Sequence, residues 1–113
     1  MITFLRGIDE IMKDIQKKGD DWVDQYKIGY WDPADNMVHL IEEVGELARE
    51  VMHRFGPKKK KDSEGDGDIG EEMADVMFSL ICLANSLGID LGEEFDKVME
   101  KINTRDKDRF EKK

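Results

Sequence analysis

Apolar residues recur along this chain at helical spacing in four segments, and no segment shows the alternation of period two expected of a strand. The first segment starts near Thr3, a suitable N-cap, and sets Leu5, Ile8, Ile11, Met12 and Ile15 on one face. Gly19 ends or weakens that helix, and Trp22, Val23 and Tyr26 continue or resume it. Ile28-Gly29-Tyr30-Trp31 then reads as a connection. The second helix has the clearest start, with Asp32 as cap and Pro33 at the first helical position, where its missing N–H costs nothing. Met37, Leu40, Ile41, Val44, Leu47, Ala48, Val51 and Phe55 keep the 3.6-residue period until Gly56-Pro57 stops it.

Four lysines followed by acidic and glycine residues fill 58–67, which reads as an exposed loop. The third helix begins near Asp68 and ends before Gly88, and its middle, Val76 to Ala84, is apolar on nearly every side. A helix of that kind is buried all round. Three other short helices can scarcely cover it, so the pattern implies a dimer or higher oligomer. The fourth helix starts after Asp90 and runs into the Lys/Arg-rich tail. The expected architecture is all-α, one four-helix domain over residues 1–113.

Charge narrows the function. Charged residues make up 40% of the chain, and the net charge of −9 argues against free nucleic acid as a partner. A divalent cation can nevertheless bridge an acidic chain to a phosphate compound. The single cysteine, Cys82, excludes an intrachain disulfide and lies in an apolar run, where a buried inert thiol is expected. With no signal-peptide core near Met1 and no apolar run approaching the roughly 20 residues that span a bilayer, the expectation is a cytoplasmic protein without membrane association.

Two acidic clusters stand out. Glu42-Glu43-Val44-Gly45-Glu46 lies inside the second helix, and Glu71-Glu72-Met73-Ala74-Asp75 in the first turns of the third. Glu43 and Glu46 are three apart, as are Glu72 and Asp75, so each pair shares a helix face. Both pairs flank apolar stripes, taken for the second helix to be centred on Val44, Val51 and Phe55. Antiparallel packing of the two helices would let four carboxylates converge. Such a cluster resists folding unless a cation compensates it. A donor set made of oxygen, with no ligand-spaced Cys or His, favours Mg2+, or Mn2+ as a substitute, over zinc. Gly45 costs about 1 kcal/mol inside a helix, which close approach of another backbone or a ligand would explain. A solvated acidic face is the bland alternative.

Glu43-x-x-Glu46, 25 intervening residues, and Glu72-x-x-Asp75 resemble the ExxE…ExxD signature of the MazG-like all-α NTP pyrophosphohydrolases. Asn36 to Glu50 is similar to that family's second-helix block, Gly70 to Val76 to its third, and Lys101 to Phe110 to the tail of a bacterial single-domain subgroup. The resemblance implies a four-helix MazG-like bundle that forms dimers or tetramers. It implies hydrolysis of a nucleoside triphosphate to monophosphate and pyrophosphate, a reaction suited to nucleotide-pool housecleaning. Glu43, Glu46, Glu72 and Asp75 would hold Mg2+, with Glu42 adjacent, orienting a water or a second metal. Lys101, and after it Arg105, match the family's phosphate-contacting region, within a stripe Lys97, Lys101, Arg105, Arg109 along the last helix.

Trp31 and Asn36, with Asp35 and His39, stand at the start of the second helix, where they could line a base pocket. Ser79 occupies the place where some pyrimidine-preferring relatives carry an aromatic residue, so their preference does not transfer. His39 and His53 read as ordinary polar or interface residues. Asp62 to Ile69 imitates the start of an EF-hand loop, but Met73 stands where the bidentate carboxylate is needed. Two rivals to the enzyme remain at this stage: a nucleotide-binding sensor without turnover, and an acidic helical protein-interaction module.

Overall fold

The structure, a computed structural model, describes residues 7–57 and 68–113, so Thr3, Leu5 and the loop 58–67 with most of its EF-hand-like stretch lie outside it. Four helices follow one another: α1 (Ile8–Val23), α2 (Pro33–Phe55), α3 (Ile69–Ser86) and α4 (Leu91–Arg105). No strand occurs among the described residues, and the fold is all-α. Aspartates start three of the helices. Asp32 accepts from the Ala34 amide at 3.2 Å, Asp68 from Glu71 at 3.0 Å and Asp90 from Glu93 at 3.1 Å, each satisfying an amide that lacks an intrahelical partner. Gly19 does not break α1, which runs through to Val23. Gly88, at φ 68°, makes the tight turn from α3 into α4, a conformation costly for a residue with a side chain.

α2 packs along α3, and α1 packs on both α3 and α4. The faces used differ from those expected. On α1 the buried residues are Gln16, Gly19 and Val23; of the expected face, Met12 and Ile15 are half-buried and Ile8 and Ile11 are exposed. The reason is steric and polar. A Cβ on Gly19 would lie 3.1 Å from Ile81 Cγ2, so the absent side chain lets α1 approach α3 there. Gln16 then reaches the α3–α4 turn: its Nε2 donates to Asn85 Oδ1 at 2.8 Å and Ile89 O at 2.9 Å, and its Oε1 accepts from the Leu91 amide at 2.9 Å.

On α2 the inward stripe is Asn36, Leu40, Glu43 and Leu47, spaced by four, three and four. Val44 and Phe55, expected at the centre of the buried face, are 46% and 77% exposed. The opposing stripe of α3 is Glu72, Val76, Ser79 and Leu83. α3 is not buried all round within one chain, because Met73, Met77, Phe78 and Leu80 remain open. α4 stops at Arg105, with Asp106 as C-cap, so Arg109 falls in the following turn and the basic stripe on the helix ends one residue short of its expected length. There the Asp106 carboxylate pairs with Arg105 and Arg109 at 3.1 and 3.5 Å. Among the described residues no single helix is long and apolar enough to cross a membrane.

Candidate metal centre and adjoining cavity

The α2–α3 seam places carboxylates where a helix pair ordinarily puts aliphatic side chains. Glu43 follows Leu40 on the inward stripe and Glu72 precedes Val76 on the other, with Glu46 one turn beyond Glu43 at the seam's edge. One oxygen from each of Glu43, Glu46 and Glu72 lies within 4.8 Å of the others. Glu72 Oε2 is buried and has no hydrogen-bond partner. Burial holds the Glu72 carboxyl above its usual range, and the neighbouring Glu46, Asp75 and Glu43 carboxylates push it further the same way. Asp75 is therefore close enough to be felt, although its own oxygen does not join the tight group.

These residues fit a hard divalent cation. Mg2+ holds oxygens at about 2.0–2.1 Å and is shared by donors up to about 4 Å apart, a span that small carboxylate rotations reach from the present separations. The orphaned Glu72 oxygen supplies the motive, since a buried polar oxygen without a partner is costly.

The other expected site residues fall in several places. Glu42 points away from the seam, 68% exposed, with its carboxylate 3.9 Å from His39 Nδ1. His39 Nε2 lies 3.5 Å from Glu43 Oε1, and the His39 ring meets Trp31 edge-on at 5.3 Å. Lys101 and Arg105 are not brought to the carboxylates within one chain. Both are exposed in the last turns of α4, which packs on α1, and Arg105 is paired with Asp106. No backbone lies within 4 Å of a Cβ built on Gly45, so within one chain its absent side chain is not explained by crowding.

Next to the carboxylates opens a cavity of about 460 Å³ walled by Trp22, Tyr26, Tyr30, Trp31 and Phe78, with Asn36, His39, Ser79 and Cys82 among its lining. Trp22 and Phe78 meet edge to face at 5.7 Å. Trp31 and Asn36 thus stand where a base pocket was expected, whereas Trp22, Tyr26, Phe78 and Ser79 were not legible as its walls. Only the sequence position of Trp31 and Asn36 just after the connection hinted at it. Burial raises the Cys82 thiol, so it stays protonated and unreactive.

The cavity's lip is held by a hydrogen-bonded chain. Asn85 Nδ2 donates to the Tyr30 hydroxyl at 2.9 Å and to Gln16 O at 2.8 Å, and Tyr30 in turn donates to Asp20. Burial and the bond to Asp20 push the Tyr30 phenol up to about 12, so it remains a donor. From Asn36 and His39 to Glu43 is four to seven residues, about 6–10 Å along α2. One ligand could therefore place a flat apolar end in the cavity and, through a cation held by the carboxylates, an anionic end beside them.

Comparison with known proteins identifies the family and the fold. The model of the MazG nucleotide pyrophosphohydrolase domain matches residues 32–110. YpjD of Bacillus subtilis (strain 168) is 55% identical over 105 residues, covering 93% of this chain and 95% of its own. The crystal structure of Bacillus subtilis YpjD superposes with a TM-score of 0.75 at 54% identity, covering 81% of this chain and 94% of that one. The crystal structure of the Bacillus-conserved MazG protein, a nucleotide pyrophosphohydrolase, gives a TM-score of 0.71 at 49% identity, covering 86% and 94%. With the acidic seam, the four helices and a domain match over most of its length, the chain belongs to the MazG nucleotide pyrophosphohydrolase family.

Proposed function

We propose that the chain hydrolyses a nucleoside triphosphate to its monophosphate and pyrophosphate, with Mg2+ (or Mn2+) held by Glu43, Glu46, Glu72 and Asp75. The observation that carries this reading is the buried, unpartnered oxygen of Glu72 inside a three-carboxylate group beside an aromatic cavity. When bound, the metal would screen the substrate's charge, polarise a phosphoryl oxygen and lower the pKa of a water. The protein's own part is positional. Asn36, Trp31 and the other cavity walls orient the base, and Glu43 is steadied by His39. Glu42, exposed on the next face, is placed to hold a water or a second ion, and Lys101 and Arg105 are the cations offered to the phosphates. In the overall reaction water adds to the α-phosphorus, the α–β bridging P–O bond breaks, and pyrophosphate leaves.

A second copy of this chain is part of the reading. Met37, Val38, Ile41, Val44, Met73, Met77 and Leu80 expose a broad apolar surface over α2 and α3, more than a lone soluble domain ordinarily leaves open. Burial of that surface in a dimer or tetramer is the natural outcome. It also offers a route for Lys101 or Arg105 of one copy to reach the carboxylates of another. A nucleic-acid polymer is no partner in this reading, and the setting is the cytoplasm.

The test is a panel of ordinary and modified nucleoside triphosphates incubated with protein and magnesium, with pyrophosphate and orthophosphate separated. Pyrophosphate release abolished by EDTA and by Glu72→Gln is expected. Metal binding without turnover on any nucleotide would replace the hydrolase with a sensor, and neither would leave an acidic interaction module.

A further inference from the structure

We propose that Asn36 is the specificity-determining residue of the cavity, presenting its side-chain carbonyl as a fixed acceptor to an N–H donor on the edge of a nucleobase. The inference rests on the reading above that a nucleotide's base enters this cavity.

Asn36 is 4% exposed and Ser79, which it faces, is 3% exposed. The Asn36 Nδ2 donates to the backbone carbonyl of Ser79 at 3.0 Å. A carbonyl oxygen only accepts, so the amide can meet Ser79 only through its nitrogen. This fixes the amide's orientation, and Oδ1 is left directed elsewhere. Among the described residues no group donates to it. That oxygen is not sealed in the interior, and Asn36 lines the cavity, so a donor carried by what enters can meet it.

The surrounding rings narrow the occupant. Trp22, Trp31 and Phe78 present flat apolar surface to a flat heteroaromatic ligand, and about 460 Å³ falls within the range of small-molecule sites. An asparagine free at both ends pairs doubly with the N6/N7 edge of adenine. Here one of the two Nδ2 N–H bonds is spent on the Ser79 carbonyl, which pins the amide and leaves Oδ1 as the acceptor it offers. What that oxygen recognises is an N–H, either an exocyclic amino group or a protonated ring nitrogen. A site built around such a bond rejects analogues that lack the donor, because the acceptor is then left unpaired.

The chain's two tryptophans, Trp22 and Trp31, both line the cavity, so intrinsic fluorescence reports a base entering it. Triphosphates of the natural bases are titrated in the presence of magnesium. Each is compared with counterparts lacking a donor: 2-pyrimidinone for cytosine, unsubstituted purine for adenine, N3-methyluracil for uracil (N3-methylthymine for thymine), and hypoxanthine and N1-methylguanine for guanine. For the preferred base, the unaltered chain is expected to bind the donor-less counterpart roughly 10- to 100-fold more weakly, with a matching fall in kcat/KM. In Asn36→Ala the two are expected to bind alike. The analogue comparison is made on the unaltered chain and decides even where the variant fails to fold. Turnover with no preference between base and counterpart overturns the role of Asn36 and leaves the hydrolase reading standing. Preference in fluorescence without turnover of any triphosphate keeps Asn36 and overturns hydrolysis. No quenching by any triphosphate places no base in the cavity and overturns the role of Asn36, whatever the turnover.

Discussion

Gln16→Leu is expected to be far more damaging than its place on an exposed, charge-rich helix suggests. Gln16 is 9% exposed, and its side chain makes three bonds of 2.8–2.9 Å, to Asn85 Oδ1, Ile89 O and the Leu91 amide. Leucine is similar in size, so the change removes those bonds without opening a large void. Each is worth about 1 kcal/mol net, and an orphaned buried partner costs about 1–3 kcal/mol. The site is near enough to solvent for water to recover part of this, so the expected loss is about 2–3 kcal/mol. That corresponds to a fall in Tm of roughly 10 °C for a domain of this size. Urea unfolding followed by circular dichroism measures it, at one protein concentration because self-association shifts apparent stability. The midpoint should drop with the m value unchanged. Lys17→Ala is the control: its 2.8 Å pair with Asp21 is exposed, and such pairs contribute below about 1 kcal/mol. If Gln16→Leu and Lys17→Ala unfold at the same urea concentration, the polar junction between α1 and the α3–α4 turn is not what joins them.

Four further outcomes follow from the geometry. Magnesium is expected to raise the Tm of the unaltered chain, whereas Glu72→Gln raises the metal-free Tm by relieving repulsion and loses the response to the ion; a surviving response would remove Glu72 from the centre. The Asp9 carboxyl is raised by burial and then by Asp96 and Asp90, with Lys13 opposing. A carboxyl whose folded pKa lies above its unfolded value favours the fold at low pH, and that contribution is lost as pH rises through the folded value. Asp9→Asn should therefore raise Tm at about pH 7 and leave it unchanged at about pH 3, and equal shifts at both would contradict this. A Cβ on Gly92 would sit 2.8 Å from Asp9 Cα, so Gly92→Ala should cost about 1–3 kcal/mol by overpacking α1 against α4, more than the helix-propensity gain of about 1 kcal/mol returns; higher stability in urea would deny that contact. Light scattering is expected to give a multiple of the 13.1 kDa chain mass, reduced to the monomer by Ile41→Lys, and a monomeric unaltered chain would end the oligomer reading.

Helix ends and the existence of the acidic seam were legible in the amino-acid sequence because they rest on local chemistry. An aspartate caps the helix that follows it, a proline inside a helix is tolerated only in its first turn, as Pro33 is, and carboxylates three residues apart share a face in any α-helix. Which face of each helix turns inward was not legible. Ile8 and Ile11 promised the buried stripe of α1, but Gly19 and Gln16 hold it, because close approach and a three-bond polar junction depend on what α3 and α4 bring opposite. Val44 and Phe55 outweighed Asn36 and Glu43 in hydrophobicity along α2, yet the latter pair faces α3. The aromatic cavity was equally hidden, since Trp22, Trp31 and Phe78 belong to three separate segments. Local sequence determined that four helices form, where most of them start, and that two of them carry paired carboxylates. Only the tertiary structure decided that Glu43, Glu46 and Glu72 share one point and that Asn36 is pinned to Ser79 at the wall of a cavity. Those facts are distances between residues far apart in the chain, and packing, which acts on shape and unsatisfied polar atoms as well as hydrophobicity, is what sets them.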